Sequence, residues 1–152
     1  MKFKKVYLVI VCFLLLFSVF LLKKDKKSLT IEKFYEYENM FFASIAELRE
    51  YKSVIFRKDS NSNITVMIDY VKQDNMSLDN LNHQFSDSMS LFKKVNLDSI
   101  IKVPSSISYV IEKNDQMVIS LTYVIDMEKF KKSHIILKLE NISGNWYYLE
   151  EE

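Results

Sequence analysis

The chain is almost without glycine: Gly144 is the one example among 152 residues, beside one proline (Pro104) and one cysteine (Cys12). Each scarcity removes a class of chemistry. Phosphate-cradling loops need several glycines so that backbone N–H groups can approach an anion closely, so neither a P-loop nor a dinucleotide fingerprint can be built here. The strained strand-to-helix elbow that presents a nucleophilic serine is excluded on the same ground. Cys12 falls inside an apolar run, which leaves the remainder without a disulfide or a thiol nucleophile. No cofactor or metal ion is expected, and no catalytic residue stands out.

What is present is core-forming material. Apolar residues make up 49% of the chain and aromatics 14%, with 27% charged, the balance of a globular domain. The net charge of +1 hides an asymmetry. Residues 1–27 carry seven lysines against Asp25, so residues 28–152 hold 14 basic and 19 acidic side chains, a balance of −5. An acidic domain repels phosphate backbones, which argues against nucleic acid as a partner.

Val6–Leu22 is 17 residues without a charge, bracketed by Lys2, Lys4 and Lys5 on one side and Lys23, Lys24, Lys26 and Lys27 on the other. As a helix it would reach about 25 Å, and snorkelling lysines would cover the shortfall against a hydrocarbon core of roughly 30 Å. A cleaved signal peptide would have a shorter apolar run and a small-x-small site after it. Here the run is followed by bulky and charged residues. A lipoprotein would place a small residue before its cysteine, and Val11 precedes Cys12. An uncleaved anchor fits best. The expected organisation is a short tail (1–5), a transmembrane anchor (6–22), a basic juxtamembrane linker (23–27) and an extracytoplasmic domain (28–152). The basic flanks nearly tie under the positive-inside rule. The common bacterial layout favours N-terminus in and domain out, in the cytoplasmic (inner) membrane.

Within the domain, Ser28–Lys52 reads as a helix with Ile31, Phe34, Phe41, Ile45 and Leu48 on one face, capped by Ser28 or Thr30. Ser53–Lys58 and Ile64–Val71 read as a hairpin about the turn-rich residues 59–63. Ser77–Val95 reads as a second helix, with Leu78, Leu81, Phe85, Met89 and Phe92 recurring at helical spacing. After Pro104 the period becomes two, giving strands at 107–111, 117–125, 134–140 and 146–150. The order α-β-β-α-β-β-β-β predicts an α+β fold with a mostly antiparallel, curved sheet.

Three features invite functional readings. His83 has Asp79 and Asp87 four residues to either side, so flanking carboxylates would favour its charged form, as a pH sensor requires, although a solvated helix face explains the same pattern. A metal site would need more ligands, and His134 lies far along the chain. Glu38 falls in the apolar sector of the first helix between Phe34 and Phe42, where it could line a pocket, face a partner or pair with a lysine. The last strand is apolar on both faces, with Trp146 and Tyr148 on one and Tyr147 and Leu149 on the other. A helix, sheet closure or another chain must cover the second face.

No motif marks a family. The element order resembles the periplasmic domains of ring-forming secretion and pilus platform subunits, and the nuclear-transport-factor-like domains of conjugation platforms. It also resembles single-pass accessory proteins that stabilise membrane-bound virulence regulators. The resemblance implies a non-enzymatic subunit that binds another membrane protein, either a regulator or an envelope assembly. A small-ligand carrier with Glu38 at the mouth of a cavity between helix and sheet is the alternative from another class.

Overall fold

The computed structural model describes residues 25–59, 63–72 and 78–152. The proposed anchor Val6–Leu22 lies outside the described residues, as do residues 60–62 of the expected first turn and Ser77, the expected start of the second helix. Among the described residues no helix is long and apolar enough to cross a membrane.

The domain is α+β, with an open antiparallel sheet. Its elements are α1 (Lys26–Glu36), α2 (Glu38–Leu48), β1 (Val54–Lys58), β2 (Ile64–Ile68), β3 (Val71–Lys72), α3 (Leu78–Gln84) and α4 (Ser86–Val95). These are followed by β4 (Ser99–Val103), β5 (Ser106–Lys113), β6 (Val118–Val124), α5 (Met127–Ser133), β7 (Ile136–Ser143) and β8 (Trp146–Glu151). Eight strands run in the order β3-β2-β1-β4-β5-β6-β8-β7.

The expected element order is therefore corrected in its detail. Each long helix is two helices. The first breaks at Tyr37 (φ −117°, ψ 20°) and starts earlier than expected, with Asp25 rather than Ser28 or Thr30 as its cap, accepting from the Ser28 N–H at 2.9 Å. Lys26 and Lys27 thus belong to α1, where they pair with Glu112 and, at 2.7 Å, with Glu140. The second breaks at Phe85 (φ −132°, ψ 51°), whose fully buried ring packs on Tyr51 and Phe56. Periodicity runs through both breaks because one non-helical residue barely disturbs it. The expected strand Ile64–Val71 is divided at Asp69 and Tyr70 into β2 and the short β3, and β4 and the helix α5 were not expected at all.

The registers set Val54, Lys102, Ile107, Tyr123 and Trp146 opposite one another across β1, β4, β5, β6 and β8. Directly paired residues point to the same face, so these five side chains form one row beneath the helices. Trp146 is the row's aromatic end. Its ring centroid lies 5.0 Å from that of Phe34, 5.3 Å from Phe41, 5.6 Å from Tyr109 and 5.5 Å from Tyr123. Leu81, Phe85, Met89 and Phe92 carry the same core under α3 and α4.

Polar contacts clamp the helices to one another. Glu47, near the end of α2, accepts from the backbone N–H of Asp87 and of Ser88, both at 2.8 Å, and so caps α4 from another helix. Ser44 and Ser88 are hydrogen-bonded at 2.8 Å, and the buried Tyr109 hydroxyl donates to Ser44 at 3.1 Å. Burial pushes the Tyr109 hydroxyl above the ordinary phenol range.

The opposite face of the last strand is covered from within the chain. Asp126 caps α5 by accepting from the Lys129 N–H, and α5 lays the fully buried Phe130 against Val124 and Leu149. That answers the two-faced apolar pattern of β8. Replacing Glu47 with Ala strips the cap from α4 and should lower unfolding stability by about 1 kcal/mol. The exposed Glu50→Ala should change it by less than about 0.5 kcal/mol. Paired urea titrations of the two variants check this, and equal midpoints would refute the capping role.

Candidate functional site

β4 has the sequence Ser-Ile-Ile-Lys-Val, in which Lys102 stands two residues after the fully buried Ile100 and therefore on the same face. The register leaves no choice: its strand partners Val54 and Ile107 are both core residues. Lys102 is only 4% exposed. Its Nζ donates to the Val103 carbonyl at 2.8 Å, which uses one of three ammonium donors. No carboxylate among the described residues pairs with it. Burial accordingly holds its amine below the ordinary lysine value.

Lys102 faces a cavity of about 390 Å³ between α2 and the sheet. Arg49, immediately after α2, is the second cation, and no carboxylate among the described residues pairs with it either. Ile45 of α2 and Ile107 and Tyr123 of the sheet form the wall, while the exposed Pro104, Ile125 and Asn145 stand at the open end. A nearly buried ammonium, the exposed guanidinium of Arg49 beside it and no acid in the lining make a site that would accept a negative group.

A second cleft of about 410 Å³ lies on the other face, beneath α5. Ser106, Ser108, His134 and Glu151 line it, and the Ser106 hydroxyl is buried without a hydrogen-bond partner among the described residues. The mixture of serine, histidine and carboxylate suggests a nucleophile, but the geometry opposes it. His134 Nδ1 is 2.8 Å from the Phe130 carbonyl and 2.9 Å from the Ser133 hydroxyl, while Nε2 faces Glu151 at 3.9 Å. Both ring nitrogens are turned to other groups, so neither is placed to draw a proton from Ser106. Burial raises the Glu151 carboxyl above its ordinary range, with His134 pulling it the other way.

The residues singled out from sequence lie elsewhere. His83, Asp79 and Asp87 are all exposed, and the break at Phe85 puts Asp87 on a different helix from the other two. No ion pair joins His83 to either aspartate, and no group of three or more potential metal ligands occurs among the described residues. Glu38 opens α2 after the Tyr37 break, half-buried, and does not line the cavity. Trp146 and Tyr148 are each 1% exposed. Trp146 is surrounded by the chain's own rings and Tyr148 donates to Glu150 at 2.6 Å, so neither presents its ring at the surface. The signal that would have found Lys102 was a lysine in phase with Ile100, hidden because the strand itself was not recognised.

No family model, no curated protein and no solved structure matches this chain.

Lys102 also fixes a pH dependence. Its folded-state value is depressed, so the unfolded chain holds this proton more tightly, and stability should rise as pH climbs through that depressed value toward the ordinary lysine value of 10.5. Lys102→Met should raise the urea midpoint at pH 7 and abolish that part of the rise. A variant less stable than the parent at pH 7 would contradict an uncompensated charge.

Proposed function

We propose that this chain is a membrane-anchored binding protein without catalysis of its own, whose domain receives an acidic group in the cavity beneath α2. The observation that carries the reading is Lys102, a nearly buried ammonium with no carboxylate partner among the described residues, facing a cavity also lined by Arg49. A buried charge of this kind costs stability unless a counter-charge arrives. A chain that keeps it on the core face of a strand keeps it for something that binds. The absence of an activated nucleophile in the second cleft, and the glycine-poor sequence, favour recognition over turnover.

The anchor reading rests on Val6–Leu22 and its lysine flanks. Together with the common bacterial layout, it favours the cytoplasmic (inner) membrane, with the N-terminus on the cytoplasmic side and the domain outside. The acidic balance of residues 28–152 speaks against nucleic acid.

A second reading makes the domain an accessory subunit that binds and stabilises another membrane protein, a membrane-bound regulator or a secretion, pilus or conjugation platform. It is favoured by the sheet edge. β7 is the outermost strand, with register shifts along it, and Leu137 within it and Ile135 just before it are 53% and 66% exposed. An open edge with exposed aliphatic side chains can pair with another chain's strand.

Two measurements test these readings. A ligand that binds only the folded state raises its stability. At fixed ionic strength and pH 7, acetate in place of chloride should raise the urea midpoint of the full chain and leave that of Lys102→Met unmoved. Equal responses in the two proteins would end the cavity reading. For the anchor, the chain should sediment with membranes, and alkaline phosphatase fused after Glu152 should be active. A soluble product, or an inactive fusion beside an active cytoplasmic reporter, would reverse the topology.

A further inference from the structure

The cavity's two kinds of lining say more than that an acid binds there, and this step rests on the reading just given. We infer that its ligand is a small amphipathic carboxylate, a single anionic head on an unbranched apolar chain. The head belongs at Lys102, which has two ammonium donors without an acceptor among the described residues, and Arg49 adds a planar fork suited to a carboxylate. The chain belongs along Ile107, Tyr123 and Ile125, toward an end where Ile125 is 50% exposed.

Three features favour this class over a bare anion. First, the cavity of about 390 Å³ is far larger than a carboxylate or phosphate needs, and about half of its lining is apolar, with Ile45, Ile107, Tyr123 and Ile125 beside the two cations. An inorganic ion would leave that surface against water, whereas an alkyl chain removes it at roughly 0.8 kcal/mol per buried CH₂. Second, only one of the two cations is buried. A divalent phosphate would lose more hydration than one ammonium in a dry site returns, while a singly charged head is matched by it. Third, residues 28–152 carry a net charge of −5, which works against the approach of highly charged ligands and weighs least on one with a single charge.

The same head and tail could come from free solution or from a single-chain lipid in the bilayer. The test is calorimetry on the full chain in lipid nanodiscs, with empty nanodiscs subtracted. Octanoate is the probe, offered either from buffer or preloaded into the discs. Octanol supplies the tail alone, and acetate and phosphate supply heads alone. Octanoate should bind one per chain, with octanol and acetate each weaker by about tenfold or more, the scale of one charge-assisted hydrogen bond or a few buried methylenes. Lys102→Met should weaken octanoate by a similar factor and leave octanol unchanged. Arg49→Gln guards against a loss of fold in either variant and should weaken octanoate alone. Saturation from preloaded discs at a lower total amount than from buffer identifies the bilayer as the source, and the reverse identifies solution; both support the ligand class. Octanol binding as tightly as octanoate, or octanoate no tighter than acetate, overturns the amphipathic ligand. If acetate or phosphate still binds through Lys102, the anion reading stands and only this inference falls. If no anion responds to Lys102, both fall.

Discussion

Helices α1 and α2 stay on the sheet because Trp146 offers them a ring to pack against at each turn, with Phe34, Phe41 and Phe42 all within 6.1 Å between centroids. The strand register then dictates what lies further along the same row: Tyr123, Ile107, Lys102 and Val54. Aromatic rings fill the space at one end. Where they run out, Ile45 of α2 and Arg49 just after it face the sheet, and the gap they leave is the cavity. Packing and site are thus two ends of one row, and neither can be altered without the other responding.

The energetics of that row are unequal. Truncating one of the core aromatics to alanine costs about 3–5 kcal/mol, against a total stability of about 5–15 kcal/mol for a domain of ordinary size. Lys102 pulls in the opposite direction, since its charge is carried into a place built for hydrocarbon. Hydrophobic packing supplies the surplus that lets the site exist. The two sheet faces also differ in kind. The helical face holds an unmatched cation, while the face under α5 ties up Ser108, Ser120, Thr122 and His134 in local hydrogen bonds, Ser108 to Thr122 and Ser120 to Thr122 at 3.0 Å each, and leaves the Ser106 hydroxyl without one among the described residues.

Fold class was legible in the sequence because it depends on period, and the periods are strong in Phe34–Leu48, Leu81–Phe92 and Ser106–Val124. The misses have separate physical causes. β4 is five residues with a lysine in its buried phase, and α5 is seven residues with Phe130 as its one fully buried side chain. Neither element is long enough for periodicity to rise above chance. The breaks at Tyr37 and Phe85 come from tertiary packing of the flanking rings, which leaves no mark in a helical wheel. Glu38 looked anomalous because the wheel assumed one unbroken helix. Once the chain turns at Tyr37, the residue sits in a first turn, where a carboxylate meets the positive end of the helix dipole. Lys102 needed long-range pairing to be seen, since its meaning comes from Val54 and Ile107 on neighbouring strands.

The cap that Glu47 places on α4 has a consequence for how anything reaches Lys102. With Ser44 bonded to Ser88 and Glu47 to the two N–H groups beside it, the roof of the chamber is fastened to a second helix that itself carries Met89, Leu91 and Phe92 into the core. Lifting the roof would mean peeling half the hydrophobic interior off the sheet. A ligand would instead pass Pro104 and Asn145, in two hairpin turns, and Ile125, in the link from β6 to α5, so side chains rather than the hinging of a helix would govern its entry.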